Sequence, residues 1–434
     1  MRGLISFIAW LLAGAGLAIP AIAQAQIPLV VTTTEDLVTG NNNCSLREAI
    51  IAANTNSPVD LCVAGLGSDS IRFGLGSGTP QIDILSPLPD ITAPVSIRGN
   101  TGGATRVVLH RTGGGSFAGL VIKANGTTVE SLVINNFAGH GIVIQANNVT
   151  VTGSLIGTAA DGITPLGNTG NGIAISGPAA PSNHVIGGTG AGQANVIAYN
   201  QIGVSVAGST GNAIRGNSIH DNGGVGIDNT GGGNGELAPP QITQADVTVS
   251  GTSGCASCTV DVFADSATEG QTYLGSTTTN GSGAWTLGTP PPGPYVTATV
   301  TNTSGSTSEF STAHACRNFD ADALCDGVDD SDLDGIADAV DNCMLAPNGP
   351  ALPDTGGNSQ LDVGGDGYGN LCDADLNGSG LVTSGDYIIL RNALNTNNPA
   401  ADLNGSGLVT SADYLILRSA LNQPPGPSGA HRPP

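Results

Sequence analysis

The chain has 434 residues, of which 66 are glycine, only 3% are aromatic and only 11% are charged. That profile disfavours an ordinary α-helical enzyme and fits all-β or repeat architectures with tight turns, divided into two to four domains. Twelve basic residues against 34 acidic ones leave a formal net charge of −22, which argues against nucleic acid and anionic lipid as partners and favours cations.

Residues 1–25 read as a signal peptide. Arg2 supplies a positive start, an apolar run follows from Leu4 to Ile19, and small residues crowd Ala21-Ile22-Ala23 and Ala23-Gln24-Ala25. The run is short for a membrane anchor, and no second long apolar run follows it. The mature chain is therefore expected to lack a membrane span. Its eight cysteines fall in consecutive pairs. In an exported chain an even count points to disulfides, here Cys44–Cys62, Cys255–Cys258, Cys316–Cys325 and Cys343–Cys372, although spacing leaves other connectivities open. The Cys255-Ala-Ser-Cys258 unit opens a strand with no helix after it, so it reads as a local staple rather than a redox motif.

Residues 27–100 mix short β-type runs with one helix. Ser45-Leu46-Arg47-Glu48 is a capping box, and Ala49-Ile50-Ile51-Ala52-Ala53 favours a helix. This segment, with Val31-Thr32-Thr33-Thr34-Glu35-Asp36 before it, resembles the CSLREA domain of secreted bacterial proteins. The resemblance implies an N-terminal cap and the first coils of an exported, often β-helical, protein, and no chemistry.

Residues 101–236 are expected to form a parallel β-helix. Gly141-Ile142-Val143-Ile144, Gly172-Ile173-Ala174-Ile175, Gly203-Val204-Ser205-Val206 and Gly226-Ile227 recur at roughly 22–31 residues, the range of stacked solenoid units. Second strands lie between them at Leu132-Val133-Ile134, Leu155-Ile156, Val185-Ile186, Val196-Ile197, Ile214 and Ile219. Asn and Gly, including Asn135, Asn136, Asn147, Asn148, Asn168, Asn171 and Asn217, are expected to supply the turns. A single coil cannot bury its apolar face alone, so neighbours must stack. These segments resemble right-handed parallel β-helix repeats, with residues 157–170 as an excursion. The helix near residue 46 would cover the open N-terminal end.

Residues 238–312 change character after Pro239-Pro240. Short alternating runs divided by Gly, Ser and Pro read as a small antiparallel sandwich, with Trp285 in its core. The segment resembles bacterial Ig-like repeats.

Near the C-terminus two segments almost coincide. Asp375-Leu376-Asn377-Gly378-Ser379-Gly380-Leu381-Val382-Thr383-Ser384-Gly385-Asp386 is repeated at Asp402-Leu403-Asn404-Gly405-Ser406-Gly407-Leu408-Val409-Thr410-Ser411-Ala412-Asp413. Oxygen-bearing side chains occupy positions 1, 3, 5, 9 and 12, with Gly at position 6 and the Leu381 or Leu408 carbonyl at position 7, which is EF-hand spacing for calcium. Each loop runs into an amphipathic helix whose Tyr, Leu and final Leu share a face: Tyr387, Leu390 and Leu394, then Tyr414, Leu417 and Leu421. No helix pattern precedes either loop. This duplicated half-EF-hand, residues 374–422, resembles a type I dockerin module. The family implies two calcium sites and docking to a cohesin domain through Ser384, Gly385, Arg391, Ser411, Ala412 and Arg418. Gly385 and Ala412 lack the hydroxyl often found there. With two carboxylates per loop, modest affinity suited to extracellular calcium is expected.

Upstream, residues 316–373 carry two more acidic loops. Asp330, Asp332, Asp334, Ile336, Asp338 and Asp341 set out positions 1, 3, 5, 7, 9 and 12, with Gly335 at 6; Asp362, Asp366, Tyr368, Asn370 and Asp373 repeat the register, with Gly364 at position 3. These resemble thrombospondin type 3 repeats, in which calcium replaces a hydrophobic core. The apolar content is too low to offset chain entropy without a cation. Residues 423–434, rich in Pro, are expected to be a disordered tail.

Catalytic signals are sparse. Gly139-His140-Gly141 resembles one polygalacturonase motif, but the paired aspartates and Arg-Ile-Lys element that should accompany it are missing. His220-Asp221 reads as an exposed turn, and Arg98, Arg106, Arg111 and Lys123 are candidates for a basic patch on the β-helix. The sequence therefore points to a secreted or surface-associated, nonenzymatic, calcium-binding β-helix protein that engages a cohesin-like protein or cell-surface component. The alternative is a carbohydrate-active β-helix enzyme carrying a dockerin and acting on polysaccharide.

Overall fold

The computed structural model describes residues 28–318 and 325–431; the signal peptide expected over residues 1–25 lies outside the described residues. No helix among them is long and apolar enough to cross a membrane. The fold is mainly β, with three α-helices among the described residues: α1 (Leu46–Thr55), α2 (Ser384–Ala393) and α3 (Ser411–Ser419).

As far as Thr230 the chain visits three parallel sheets in turn, the path of a parallel β-helix. Sheet one orders Leu29–Val31, Asp69–Phe73, Val95–Arg98, Thr128–Glu130, Thr150–Thr152, Val185–Gly187 and Ala213–Arg215. Sheet two orders Gln81–Ile84, Val107–Arg111, Leu132–Asn135, Leu155–Ile156, Val196–Ala198 and Ser218–His220. Sheet three orders Leu120–Ile122, Ile142–Ile144, Ile173–Ile175, Val204–Ala207 and Ile227–Thr230. Alternation along each strand sends every second side chain inward, and the parallel register stacks those side chains into columns. Ile71, Ile97, Val129, Val151, Ile186 and Ile214 make one column. Ile82, Leu109, Ile134, Ile156, Ile197 and Ile219 make a second, and Leu120, Ile142, Ile173, Val204 and Ile227 a third. All three meet in one buried core, where each side chain contributes about 2 kcal/mol relative to exposure.

Glycine opens the sheet-three strands for a steric reason. A Cβ on Gly141 would stand 2.7 Å from the Gly172 carbonyl oxygen, and one on Gly172 would stand 2.7 Å from that of Gly203. Any side chain there would push successive coils apart.

The asparagines divide into two roles. Asn136 and Asn148 adopt left-handed backbone (φ 62° and 56°), as expected of turn residues. Asn168 and Asn217 do not; they are buried members of amide ladders that run from coil to coil. Asn168 Nδ2 donates to Asn200 Oδ1 at 2.9 Å, and Asn200 Nδ2 to Asn222 Oδ1 at 3.2 Å. Asn195 donates to Asn217 at 2.9 Å and Asn212 to Asn234 at 3.1 Å. The same side chains accept from and donate to the backbone, as when Asn168 Oδ1 takes the Phe137 amide and Asn195 Nδ2 reaches the Val151 carbonyl. Each amide carries both donors and acceptors, so the ladders satisfy buried backbone without a charge.

Both ends of the coil stack are covered. At the N-terminal end α1 buries Leu46, Ala49, Ile50 and Ala53, and its capping box joins Ser45 and Glu48. The Cys44–Cys62 disulfide and the Arg47–Asp36 ion pair at 2.8 Å hold it. At the other end stand two antiparallel sheets. One orders Gln241–Ala245, Val249–Thr252 and Ala284–Leu287; the other orders Thr272–Thr278, Thr259–Asp265, Tyr295–Thr301 and His314–Ala315. They share a core that includes Trp285, Val260, Val262, Val296, Ala298 and Val300. Glu269 terminates one amide ladder, accepting from Asn222 N at 3.0 Å and Asn222 Nδ2 at 3.2 Å. Thr307 O ends another, accepting from Asn234 Nδ2 at 2.8 Å. Arg215 pairs with the buried Asp261 at 2.7 Å across the same junction.

The C-terminal region has its own small core. Ala374, Val382, Leu390, Ala401, Leu403, Val409 and Leu417 meet there, with Tyr387 and Tyr414 ring centroids 5.4 Å apart. The final Leu of each expected apolar face departs from that expectation: Leu394 and Leu421 lie beyond the helices and are exposed. The four disulfides join Cys44–Cys62, Cys255–Cys258, Cys316–Cys325 and Cys343–Cys372.

Candidate calcium centres

The two loop–helix units have matching internal geometry. Asp375 accepts the Ser379 and Gly380 amides on its two oxygens, and Asp402 accepts those of Ser406 and Gly407. At the other end Asp386 accepts the amides of Asn377 (3.0 Å) and Thr383 (2.7 Å), and Asp413 those of Asn404 (3.1 Å) and Thr410 (2.8 Å). Thr383 and Thr410 are the N-caps of α2 and α3, with Asp386 and Asp413 completing the capping boxes. The last residue of each loop is thus fixed by the start of the helix that follows. Ser379 Oγ donates to the Leu381 carbonyl, and Ser406 Oγ to that of Leu408. Gly378, Gly380, Gly405 and Gly407 all take positive φ. The glycines at position 4 of each loop, which the spacing rule does not single out, are as conformationally demanding as those at position 6. Oxygens from Asp375, Asn377, Ser379, Leu381, Thr383 and Asp386, and their counterparts Asp402, Asn404, Ser406, Leu408, Thr410 and Asp413, are the donors this geometry offers a hard cation.

The loop of residues 330–341 is strained electrostatically. Carboxylate oxygens of Asp330, Asp332 and Asp334 lie within 4.8 Å of one another. Asp332 Oδ2 and Asp341 Oδ2 are buried and receive no hydrogen bond. Burial, reinforced by Asp334 and Asp341, pushes the Asp332 carboxyl up to about 7, and burial also raises Asp341. Two orphaned buried carboxylate oxygens beside a cluster of like charges fit a divalent cation, which would supply the missing counter-charge. Asp338 accepts the Ser331 amide and hydroxyl, as Asp386 accepts those of Thr383. Asn370, at the same position of residues 362–373, likewise accepts the Val363 amide. Asp386 and Asp413 accept amides in the same manner, so these contacts leave Asp338 and Asn370 among the oxygens that their loops offer.

In residues 362–373 Asp362 accepts the Gly365 and Gly367 amides, and Asp366 that of Tyr368. Asp373, raised to about 6 by burial and then by Asp366, Asp375 and Asp362, accepts the Asp375 amide at 3.0 Å. Gly364 contributes no oxygen at position 3, so this loop offers fewer side-chain donors than the others.

The expected disordered tail is corrected over residues 423–431. Gly429 N and Ala430 N donate to the Asp341 carbonyl at 2.7 and 3.1 Å, Ser428 Oγ donates to Gly367 O, and His431 stacks on Tyr368 with centroids 4.3 Å apart. The Pro and Gly content that reads as disorder here lets an irregular segment lie against two acidic loops. Residues 432–434 lie outside the described residues.

The remaining candidates do not converge. Arg98 lies on sheet one, Arg111 ends a sheet-two strand and Lys123 follows a sheet-three strand, so the basic patch is not assembled. Arg98 pairs with Glu130, Lys123 with Asp90, and Arg106 donates to Gly153 O. His140 Nδ1 accepts the Asn171 amide and serves the coil corner. On the outer surface of the helices Ser384, Arg391, Ser411, Ala412 and Arg418 are exposed and Gly385 partly so.

No curated protein matches this chain in sequence. Residues 373–422, which hold both matched loops together with α2 and α3, match the family model for the dockerin type I domain.

Proposed function

We propose that this chain is an exported, nonenzymatic β-helix protein, stabilised by calcium and attached through its C-terminal module to a cohesin-type partner. The carrying observation is the pair of loops 375–386 and 402–413, alike in every carboxylate–amide contact described above and each delivered into a capped helix, within the residues that match a dockerin domain. Dockerin domains bind cohesins and occur on extracellular or cell-surface proteins, which supports both partner and location. In this reading α2 and α3 present Ser384, Gly385 and Arg391, and Ser411, Ala412 and Arg418, to the partner. The right-handed β-helix with its CSLREA-like cap is the displayed surface, and the Ig-like sheets and thrombospondin type 3-like loops form the stalk. Asp330, Asp332, Asp334, Ile336 O, Asp338 and Asp341, and more weakly Asp362, Asp366, Tyr368 O, Asn370 and Asp373, would hold further calcium ions.

Capture of the full chain by an immobilised type I cohesin, with calcium and with EDTA, tests the reading. Capture in calcium alone is expected, and it should be lost in the Asp386→Asn, Asp413→Asn double variant. Failure to bind in calcium would overturn the docking role.

A further inference from the structure

Sheet two leaves several of its strands through a left-handed residue. Asn136 (φ 62°), Tyr199 (φ 61°) and Asp221 (φ 54°) each directly follow a sheet-two strand. The register pairs Ala198 with His220, which sets Tyr199 over Asp221. Asn and Asp tolerate this backbone; a tyrosine is strained in it. A bulky side chain kept where the backbone disfavours it points to a use for the side chain.

The Tyr199 ring stands edge-on to His220, with centroids 6.0 Å apart, and its hydroxyl donates to the Ile163 carbonyl at 3.1 Å. Together they line a cleft of about 430 Å³, within the size range of small-ligand sites. Val196, Ser218 and His220 come from sheet two, Gly162 and Ile163 from the excursion, and Gln271 and Thr272 from the antiparallel sheets and the turn before them. Three separate parts of the chain therefore build it. Ile163 is 74% exposed there, an apolar side chain with no packing reason to stand in solvent.

The chemistry of the lining selects a ligand class. No Lys or Arg is present in it. The nearby carboxylates are already engaged: Asp161 accepts from Ile163 N, Thr164 N and Thr164 Oγ1, and Asp221 faces His220 Nδ1 at 2.8 Å. They would repel an anion and are not free to collect a cation. The lining also holds a phenol, an imidazole, two hydroxyls and an amide beside Ile163 and Val196. Tyr199 Oη and Ser218 Oγ already donate to the Ile163 and Gln271 carbonyls, so they meet a ligand as acceptors. That suits a molecule with hydroxyl donors at its rim and an apolar face. We propose that this cleft binds a neutral saccharide of one or two pyranose units. The inference stands apart from the docking module, which neither contributes to the cleft nor is needed for it.

Calorimetric titration of the full chain with cellobiose, xylobiose and mannobiose, with digalacturonate as the anionic control, tests the site. At least one neutral disaccharide should bind with Kd of about 1 mM or tighter, and digalacturonate about tenfold more weakly. Tyr199→Asn places at this corner the residue type that Asn136 already uses, so Tm should not fall while affinity drops about tenfold. His220→Gln, a second variant in the same lining, should lose affinity to the same extent. The proposal is overturned if none of the neutral disaccharides binds, if digalacturonate is preferred, or if both variants bind like the unaltered chain.

Discussion

The β-helix and the acidic C-terminal region are both made of short repeated segments, and both bury polar side chains between repeats. They differ in which side chain they bury. Asn195, Asn200 and Asn212 each meet an asparagine 22 residues later, and each amide gives and takes hydrogen bonds, so each rung supplies both a donor and an acceptor to the next. The C-terminal loops use aspartate, which only accepts. Seventeen of the 34 acidic residues lie beyond Cys316, and in residues 330–341 two buried carboxylate oxygens find no donor. A repeat built on amides supplies both donors and acceptors, whereas one built on carboxylates supplies acceptors alone, the surplus that the proposed calcium ions would take up.

Chelation should expose that difference most strongly. With EDTA, hydrogen exchange is expected to accelerate throughout residues 326–430 and remain slow in residues 29–230; equal protection of both regions would break the comparison. Next in size is Asn200→Ala, which strands the Ile156 carbonyl and the amides of Asn168 that Asn200 now serves. It should cost about 3 kcal/mol in denaturant unfolding of the β-helix, with calcium stoichiometry unchanged. The β-helix also carries its own pH dependence through His184. Burial lowers its pKa from 6.5 to about 4, and its Nδ1 accepts the Val149 amide. The unfolded chain therefore takes up this proton first. Stability is full above pH 6.5 and is lost as pH falls toward about 4, by about 3 kcal/mol at most. His184→Gln should flatten the change in unfolding midpoint across that window. Smallest is Gly364→Asp, whose Cβ has ordinary contact distances to Asp362 and Asp366. Restoring the missing carboxylate should tighten calcium binding by residues 362–373 about fivefold, read by titration.

Signals that act over a few residues were legible in the sequence. Gly141, Gly172 and Gly203 mark the sheet-three strands because steric demand recurs with each coil. Cysteines that pair with their sequence neighbours, and the Ser45–Glu48 capping box, are similarly local. The amide ladders were not legible, because their partners lie on different coils and an isolated asparagine reads equally well as a turn. The 22-residue recurrence from Asn195, Asn200 and Asn212 was the available signal. In the candidate centres, spacing picks out the oxygen-bearing residues but carries no information on their hydrogen bonds: Asp338 and Asn370, like Asp386 and Asp413, turn to backbone amides. The ordered tail escaped for a related reason: its hydrogen bonds run to Asp341 and Gly367, some sixty to ninety residues away, while its own composition is that of a loose end.

Ala374 alone separates Asp373 from Asp375, and the Asp375 amide is already tied to the Asp373 carboxylate. A partner tugging on α2 and α3 would therefore meet no slack at this joint. Tension would pass directly into the loop of residues 362–373 and on to the Cys343–Cys372 crosslink, so on the proposed reading the module would act as the end of a taut tether rather than a bead on a flexible string.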